Sequence, residues 1–467
     1  MAGPGTGCDT AGVNRPHFPP LSPAPATPLL VLVIAWLAQL TLALNPGYFS
    51  HDELQWGATA DVPGWAALPW FPWTDTSMLQ WRPLTFNAWM LLSNALFESP
   101  RAMHSLWVLM GSAIAAGLTW LLQRWGLGWR AAVLAGLVFA LNPYAAYVHG
   151  WVATLADLLW VGASLVLAAR LHGAHRRAEA TPGETPRLAW VAGAWALALT
   201  ALALLAKESA LVMPTLVGLA WLLSGRGRVL GAATLGSGLA AALYLALRAG
   251  ALLSAGEASA YALAPAAAPA NFAAYALFLP MGASFEVNTV WHRSTGHLVL
   301  ASLLMLGLAG VVLRAAPRLG LALVLGAVLS LGPVLVLPQA ATQYGYGFSL
   351  WVIACVVLAW PRLGRAACGL VLLLLALLVL HGTRVQREMR AVGERQAVFQ
   401  PALVAALSVH EGTLRLRRDR EFGWAYERLT HEVPAWRGKA VGDRVVWVGG
   451  AEVADYRVAE DGSLVAP

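Results

Sequence analysis

Charge is what this sequence has least of. Its 31 Lys+Arg and 24 Asp+Glu make up 12% of 467 residues, against about 25% in a typical soluble domain. The hydrophobic share is 58%, and it is gathered into runs too long and too frequent to be buried core helices. A soluble enzyme and a disordered chain are thereby excluded. Cysteine is scarce as well: Cys8, Cys355 and Cys368 are too few for a disulfide framework, and the last two lie in apolar segments where they read as small hydrophobes. Lysine is nearly missing, with Lys207 and Lys439 alone. No Walker loop, GxGxxG turn or Cys/His metal spacing is present. The net charge of +7 is no nucleic-acid signal, since a membrane protein gathers its bases on one side.

What is there is a succession of span-length apolar runs, which predicts an all-α polytopic membrane protein. Residues 1–27, rich in Pro, Gly, Ala and Thr, read as a floppy tail. Eleven spans fit at about 28–44, 102–122, 131–148, 151–170, 188–206, 209–223, 229–247, 298–313, 319–337, 348–360 and 366–382, so the membrane domain is expected over 28–383. Alternate short connections hold twelve bases, among them Arg124, Arg176 and Arg226, while the opposite, longer ones hold only Arg82, Arg101, Lys207, Arg248 and Arg293. The positive-inside rule then puts the N-terminus in the cytoplasm and two large loops, 45–101 and 249–297, outside with interfacial helices. Residues 384–467 contain thirteen bases and twelve acids and no span-length run. They read as a separate outer tail, first helical and then of short strands, with no repeat of about 34 residues.

The informative residues are polar groups at the outer face, because an ionisable group at the bilayer centre costs ~2.5–3.5 kcal/mol on insertion scales. His51-Asp52-Glu53 follows the first span; a carboxylate there could take a proton from a hydroxyl, although an isolated Asp-Glu pair is more often a solvated loop edge. In Trp81-Arg82-Pro83-Leu84, Pro83 suits the first turn of a helix and Arg82 suits phosphate oxygens; the alternative is an interfacial Arg beside its Trp. Asp157 sits near the outer end of the fourth span, where the bland reading is a buried structural pair. Lys207-Glu208 marks the outer turn of a helical hairpin, from which Lys207 could reach a phosphate. Arg248 and Arg293 end or precede spans on the same side. The lone His104 and His149 read as core hydrogen-bonders.

Taken in order, these segments resemble the membrane-embedded glycosyltransferases of the C superfamily, in particular the protein O-mannosyltransferase branch and its tetratricopeptide-repeat-bearing relatives. The resemblance rests on Asp52-Glu53, Arg82-Pro83-Leu84, Pro100-Arg-Ala-Met-His104, Asn142-Pro143 with Trp151 to Asp157-Leu158-Leu159, and Lys207-Glu208-Ser209-Ala210 with Pro214, and covers about 45–350. Two features depart from it. Where the relatives read Glu-Arg-Tyr-Leu-Tyr, this chain has Thr342-Gln343-Tyr344-Gly345-Tyr346, which keeps both tyrosines and loses both charges; the repeats are also absent.

The resemblance implies a glycosyltransferase C fold in a bacterial inner membrane with a periplasmic C-terminus. It also implies inverting transfer of a sugar from a polyprenyl-phosphate carrier to a hydroxyl of a protein, glycan or lipid acceptor outside. Asp52 would be the base with Glu53 orienting it. Arg82, Lys207, Arg248 and Arg293 would meet the phosphate, and His51, Asp157, Glu208, Tyr344 and Tyr346 would support them. A divalent cation is left open. The competing classes are a polyprenyl-lipid transporter or flippase and a non-catalytic homologue.

Overall fold

A computed structural model describes residues 26–54, 57–60, 62–254, 261–282, 284–417, 426, 430, 435–436, 439–442, 444–449 and 452–466. The chain is mostly helical, and it is a membrane protein. Among the described residues, eight helices are long and apolar enough to cross a bilayer: Pro100–Arg124, Val152–Ala180, Pro182–Ala206, Arg228–Leu253, Thr295–Ala315, Pro317–Val336, Thr342–Arg362 and Arg365–Val409. A ninth arises if Trp129–Leu141 and Pro143–Gly150, bent by 56°, count as one span. The bend has a local cause. Pro143 cannot donate to the preceding turn, and the side chain of Asn142 caps the new helix by accepting from Tyr144 N–H at 3.0 Å and Ala145 N–H at 3.2 Å.

Eleven spans are expected, and among the described residues nine of them at most reach spanning length. Every expected span is helical, but 28–44 and 209–223 correspond to Ala26–Leu37 and Glu208–Leu223. Ala26–Leu37 begins at the first described residue and is followed by a further helical turn, Leu40–Ala43. Arg365–Val409 departs in the opposite direction. Its 45 residues extend about 68 Å, more than twice the hydrocarbon thickness, so the boundary expected at 383 falls inside one continuous helix.

Packing between helices follows small residues, since close backbone approach replaces the hydrophobic drive that lipid does not supply. A Cβ on Gly236 would lie 2.2 Å from Gly193 O, so Pro182–Ala206 and Arg228–Leu253 touch backbone to backbone. On the outer side of Arg228–Leu253, Leu235, Leu239, Leu243 and Leu247 recur every four residues and are exposed, a stripe suited to lipid.

The loop at 45–101 carries a helix at Pro83–Leu96, and the loop at 249–297 carries one at Ala268–Met281. One face of the latter packs inward, with Tyr275 and Phe278 wholly enclosed. Beyond Val409 a small sheet forms in the order Val445–Val448, Leu414–Arg417, Tyr456–Val458, Leu464–Val465. The first three strands are parallel and the last is antiparallel. Arg444 fastens this sheet to the long helix by donating to the carbonyls of Leu407 at 3.1 Å and His410 at 2.8 Å, where helix-end carbonyls lack intrahelical partners.

Candidate functional site

The acidic pair follows the Asn45-Pro46-Gly47 turn on a single helical turn, His51–Leu54. The side chain of His51 lies outside the described residues. Glu53 is wholly buried, and both its oxygens are occupied: Oε2 accepts from the N–H groups of Phe49 and Ser50, the latter at 2.8 Å, and Oε1 accepts from Val152 N–H at 2.6 Å. Burial, reinforced by the neighbouring Asp52 charge, pushes this carboxyl up to about 8 against the pull of the three backbone donors. Glu53 thus pins the acidic turn to the start of the helix that carries Asp157. Asp52 is half-buried, and its backbone N–H donates to Ser50 Oγ at 3.2 Å.

Pro83–Leu96 begins as its sequence requires, with Pro83 in the first turn and Arg82 as the residue before it. Two side chains fix this helix across the site. Thr85 Oγ1–H donates to Ala206 O at 2.8 Å, beside the Lys207-Glu208 turn, and Trp89 Nε1–H donates to Val152 O at 3.0 Å. Val152 therefore joins Glu53 on its N–H to Trp89 on its carbonyl, and Arg82 is brought to Glu208. Arg82 Nε donates to Glu208 Oε2 at 2.8 Å with both side chains largely buried. Among the described residues its guanidinium makes no other hydrogen bond.

The second pair is deeper. Lys207 Nζ donates to Asp157 Oδ2 at 2.5 Å, and their side chains are 4% and 1% exposed. Trp160 Nε1–H reaches Asp157 Oδ1 at 3.4 Å, and Lys207 Nζ lies 4.6 Å from the centre of the Tyr344 ring, a cation–π contact. Arg82 and Glu208 are close enough to act on the Lys207 charge. Residues 125 positions apart (207 − 82) thus share one polar cluster, and its four charges sum to zero. Lys207, expected to face a phosphate, is occupied by a carboxylate, because an unpaired ion in that low-dielectric position would be costly. Arg82 has likewise committed one edge of its fork.

Arg248 also departs from expectation. It is wholly buried; its Nη1 donates to Thr76 O and its Nη2 to Leu79 O at 2.6 Å, under the Trp81 ring. The loop at 45–101 folds back over the helix end, so its carbonyls take donors expected for phosphate. Arg293 is half-buried and, among the described residues, makes no side-chain hydrogen bond or ion pair; it is not brought into the cluster. Tyr346 is wholly buried and spends its hydroxyl elsewhere, donating to His149 Nε2 at 3.0 Å while His149 Nδ1–H donates to Gln39 Oε1 at 2.7 Å. That tautomer is assigned from Gln39 Oε1 being acceptor-only. His104 bonds Gly47 O at 2.9 Å. Both histidines are core hydrogen-bonders, as the sequence suggests.

Sequence reasoning missed Tyr261, whose hydroxyl accepts from Gln80 Nε2–H at 2.6 Å and which lies near Arg82. It also missed the backbone of Val152, for which no side-chain signal exists. Three of the carboxylates are engaged: both Glu53 oxygens face N–H donors, Asp157 holds Lys207 and Glu208 holds Arg82 through Oε2. Among the described residues no group of three or more His, Cys, Asp or Glu converges. No family model matches this chain, and no curated protein matches it.

Proposed function

We propose that the chain is an inverting glycosyltransferase that moves a sugar from a polyprenyl-phosphate carrier to a hydroxyl acceptor at the outer face of the membrane. The observation that carries this reading is that the acidic turn, Arg82 and Lys207 are tied to one another through Val152, Thr85 and Trp89 at one end of the helices. In this reading the N-terminus is cytoplasmic, and Asp52 stands outside with Glu53 holding its turn.

Asp52 takes the acceptor's proton as the hydroxyl attacks the anomeric carbon, and the departing phosphate gains charge that needs a cation in place beforehand. Arg82 is suited to meet it: Nε is held by Glu208, which aims the fork, and among the described residues nothing takes a hydrogen bond from the two terminal nitrogens. Lys207 adds a positive charge already balanced by Asp157, so its role is to orient rather than to bind. Arg248 holds the loop that delivers Trp81 and Arg82.

The test is the purified protein with radiolabelled polyprenyl-phosphate sugars. Release of labelled sugar to an acceptor or to water supports the enzyme, and labelled lipid crossing the bilayer uncleaved supports a flippase instead. The neutral sum of the four clustered charges favours a second reading, a non-catalytic homologue in which the two pairs only brace the helices. Absence of both cleavage and movement is the result expected of that homologue.

A further inference from the structure

The chain beyond residue 383 is expected from the sequence to be a separate outer tail. Its helix instead lies against the turn that carries Asp52. Gly47 and Gly393 meet where neither tolerates a side chain: a Cβ on Gly47 would be 2.1 Å from Gly393 O, and one on Gly393 would be 2.2 Å from Asn45 Oδ1. Gln396, one turn further along, is 4% exposed, and its Oε1 accepts from Tyr48 N–H at 2.8 Å. Asn45 Nδ2–H donates to Met389 O at 3.4 Å. On the opposite side the same few residues are held by His104 on Gly47 O and by the Tyr48 hydroxyl, which donates to Phe97 O at 2.5 Å. The next residues, Phe49 and Ser50, supply two of the three donors that cage Glu53. From Gln396 to Asp52 the contacts are therefore continuous. They extend to the sheet as well, since Arg395 Nε donates to Glu460 O at 2.8 Å and a Cβ on Gly462 would meet Arg395 O at 2.5 Å.

We infer that Gln396 is a positioning residue: through Tyr48 N–H it sets the backbone of the 47–53 turn, and so the place of the Asp52 carboxylate, making the C-terminal helix and sheet part of the site's scaffold. This rests on the proposed function only in taking Asp52 as the base. The measurement below needs no turnover, so its failure is separate from failure of that reading.

The experiment is amide hydrogen exchange on the full chain in lipid nanodiscs, comparing wild type with Gln396→Met, which keeps the length and removes the acceptor. The 47–53 peptide should exchange about fivefold faster, the equilibrium worth of one hydrogen bond, while peptides from Pro100–Arg124 are unchanged. Gln396→Glu, which keeps an oxygen at that place, should restore the slow rate. Unchanged exchange at 47–53 in folded Gln396→Met overturns the inference. Should that variant not fold, the unmodified protein decides: 47–53 and 389–397 should lose protection at the same denaturant concentration, and loss at separate concentrations overturns it.

Discussion

Removing one partner of the Lys207–Asp157 pair should be far more damaging than removing both. The separation of 2.5 Å and side-chain exposures of 4% and 1% place two ions where each has given up nearly all its hydration. Breaking such a pair leaves a buried charge uncompensated, at about 3–5 kcal/mol, whereas replacing both partners by groups of similar shape is often near neutral. Lys207→Met and Asp157→Asn should therefore each raise the unfolded fraction by roughly 10²–10⁴-fold, at 1.4 kcal/mol per tenfold. The double variant should recover most of that loss, because neither remaining side chain carries charge. An exposed pair on the same chain, Arg384–Glu388 at 2.9 Å with side chains 56% and 31% exposed, serves as control and should be worth under about 1 kcal/mol. The assay is denaturant unfolding in detergent micelles, followed by tryptophan emission and analysed as a double-mutant cycle. Single variants no worse than the Arg384 control, or a double variant equal to the sum of the singles, would refute the argument that the pair is desolvated and coupled.

Asp52→Asn keeps shape and hydrogen-bonding capacity, so in an active enzyme turnover should fall by ~10²–10⁴-fold with radiolabelled carrier lipid still bound; near-wild-type turnover would move the base elsewhere. Glu53→Gln should cost about 1–3 kcal/mol of stability, because its amide must set an NH₂ against one of three N–H donors; an unfolding midpoint equal to wild type in detergent would refute this. The same residue carries a pH signature. A carboxyl raised to about 8 in the folded chain binds more protons folded than unfolded, so stability should be full below about 4.5 and decline as pH rises towards 8. The unfolding midpoint followed across that window should flatten in Glu53→Gln, and an unchanged slope would place the titration elsewhere. Gly236→Val should force Pro182–Ala206 and Arg228–Leu253 apart, since a Cβ there lies 2.2 Å from a backbone oxygen that cannot move aside; loss of thermal stability in detergent is the readout, and a variant as stable as wild type would show that the helices are not in backbone contact.

The legible part of the site was the part carried by residue type and local order. Asn142-Pro143 announces a broken helix, Arg82-Pro83 announces a helix start, and Asp157 in an apolar run announces a partner. Arg248 was misleading because a base at a span end looks the same whether it faces a ligand or a loop carbonyl. The difference lies in where residues 76–79 fold, which Arg248 itself does not encode.

By itself the sequence determined that the chain is a helical membrane protein and where its apolar segments lie, because partitioning into a bilayer is a sum over some twenty consecutive residues and needs no knowledge of neighbours. It also determined which polar residues required an explanation. Only the tertiary structure decided how they are spent: Arg82 on Glu208 across 126 positions, Lys207 on Asp157 across 50, and Gln396 on Tyr48 across 348. Those partners are chosen by the low dielectric of the interior, which makes an unpaired charge or amide costly wherever the fold happens to bury it, and burial is settled by how all the helices pack at once.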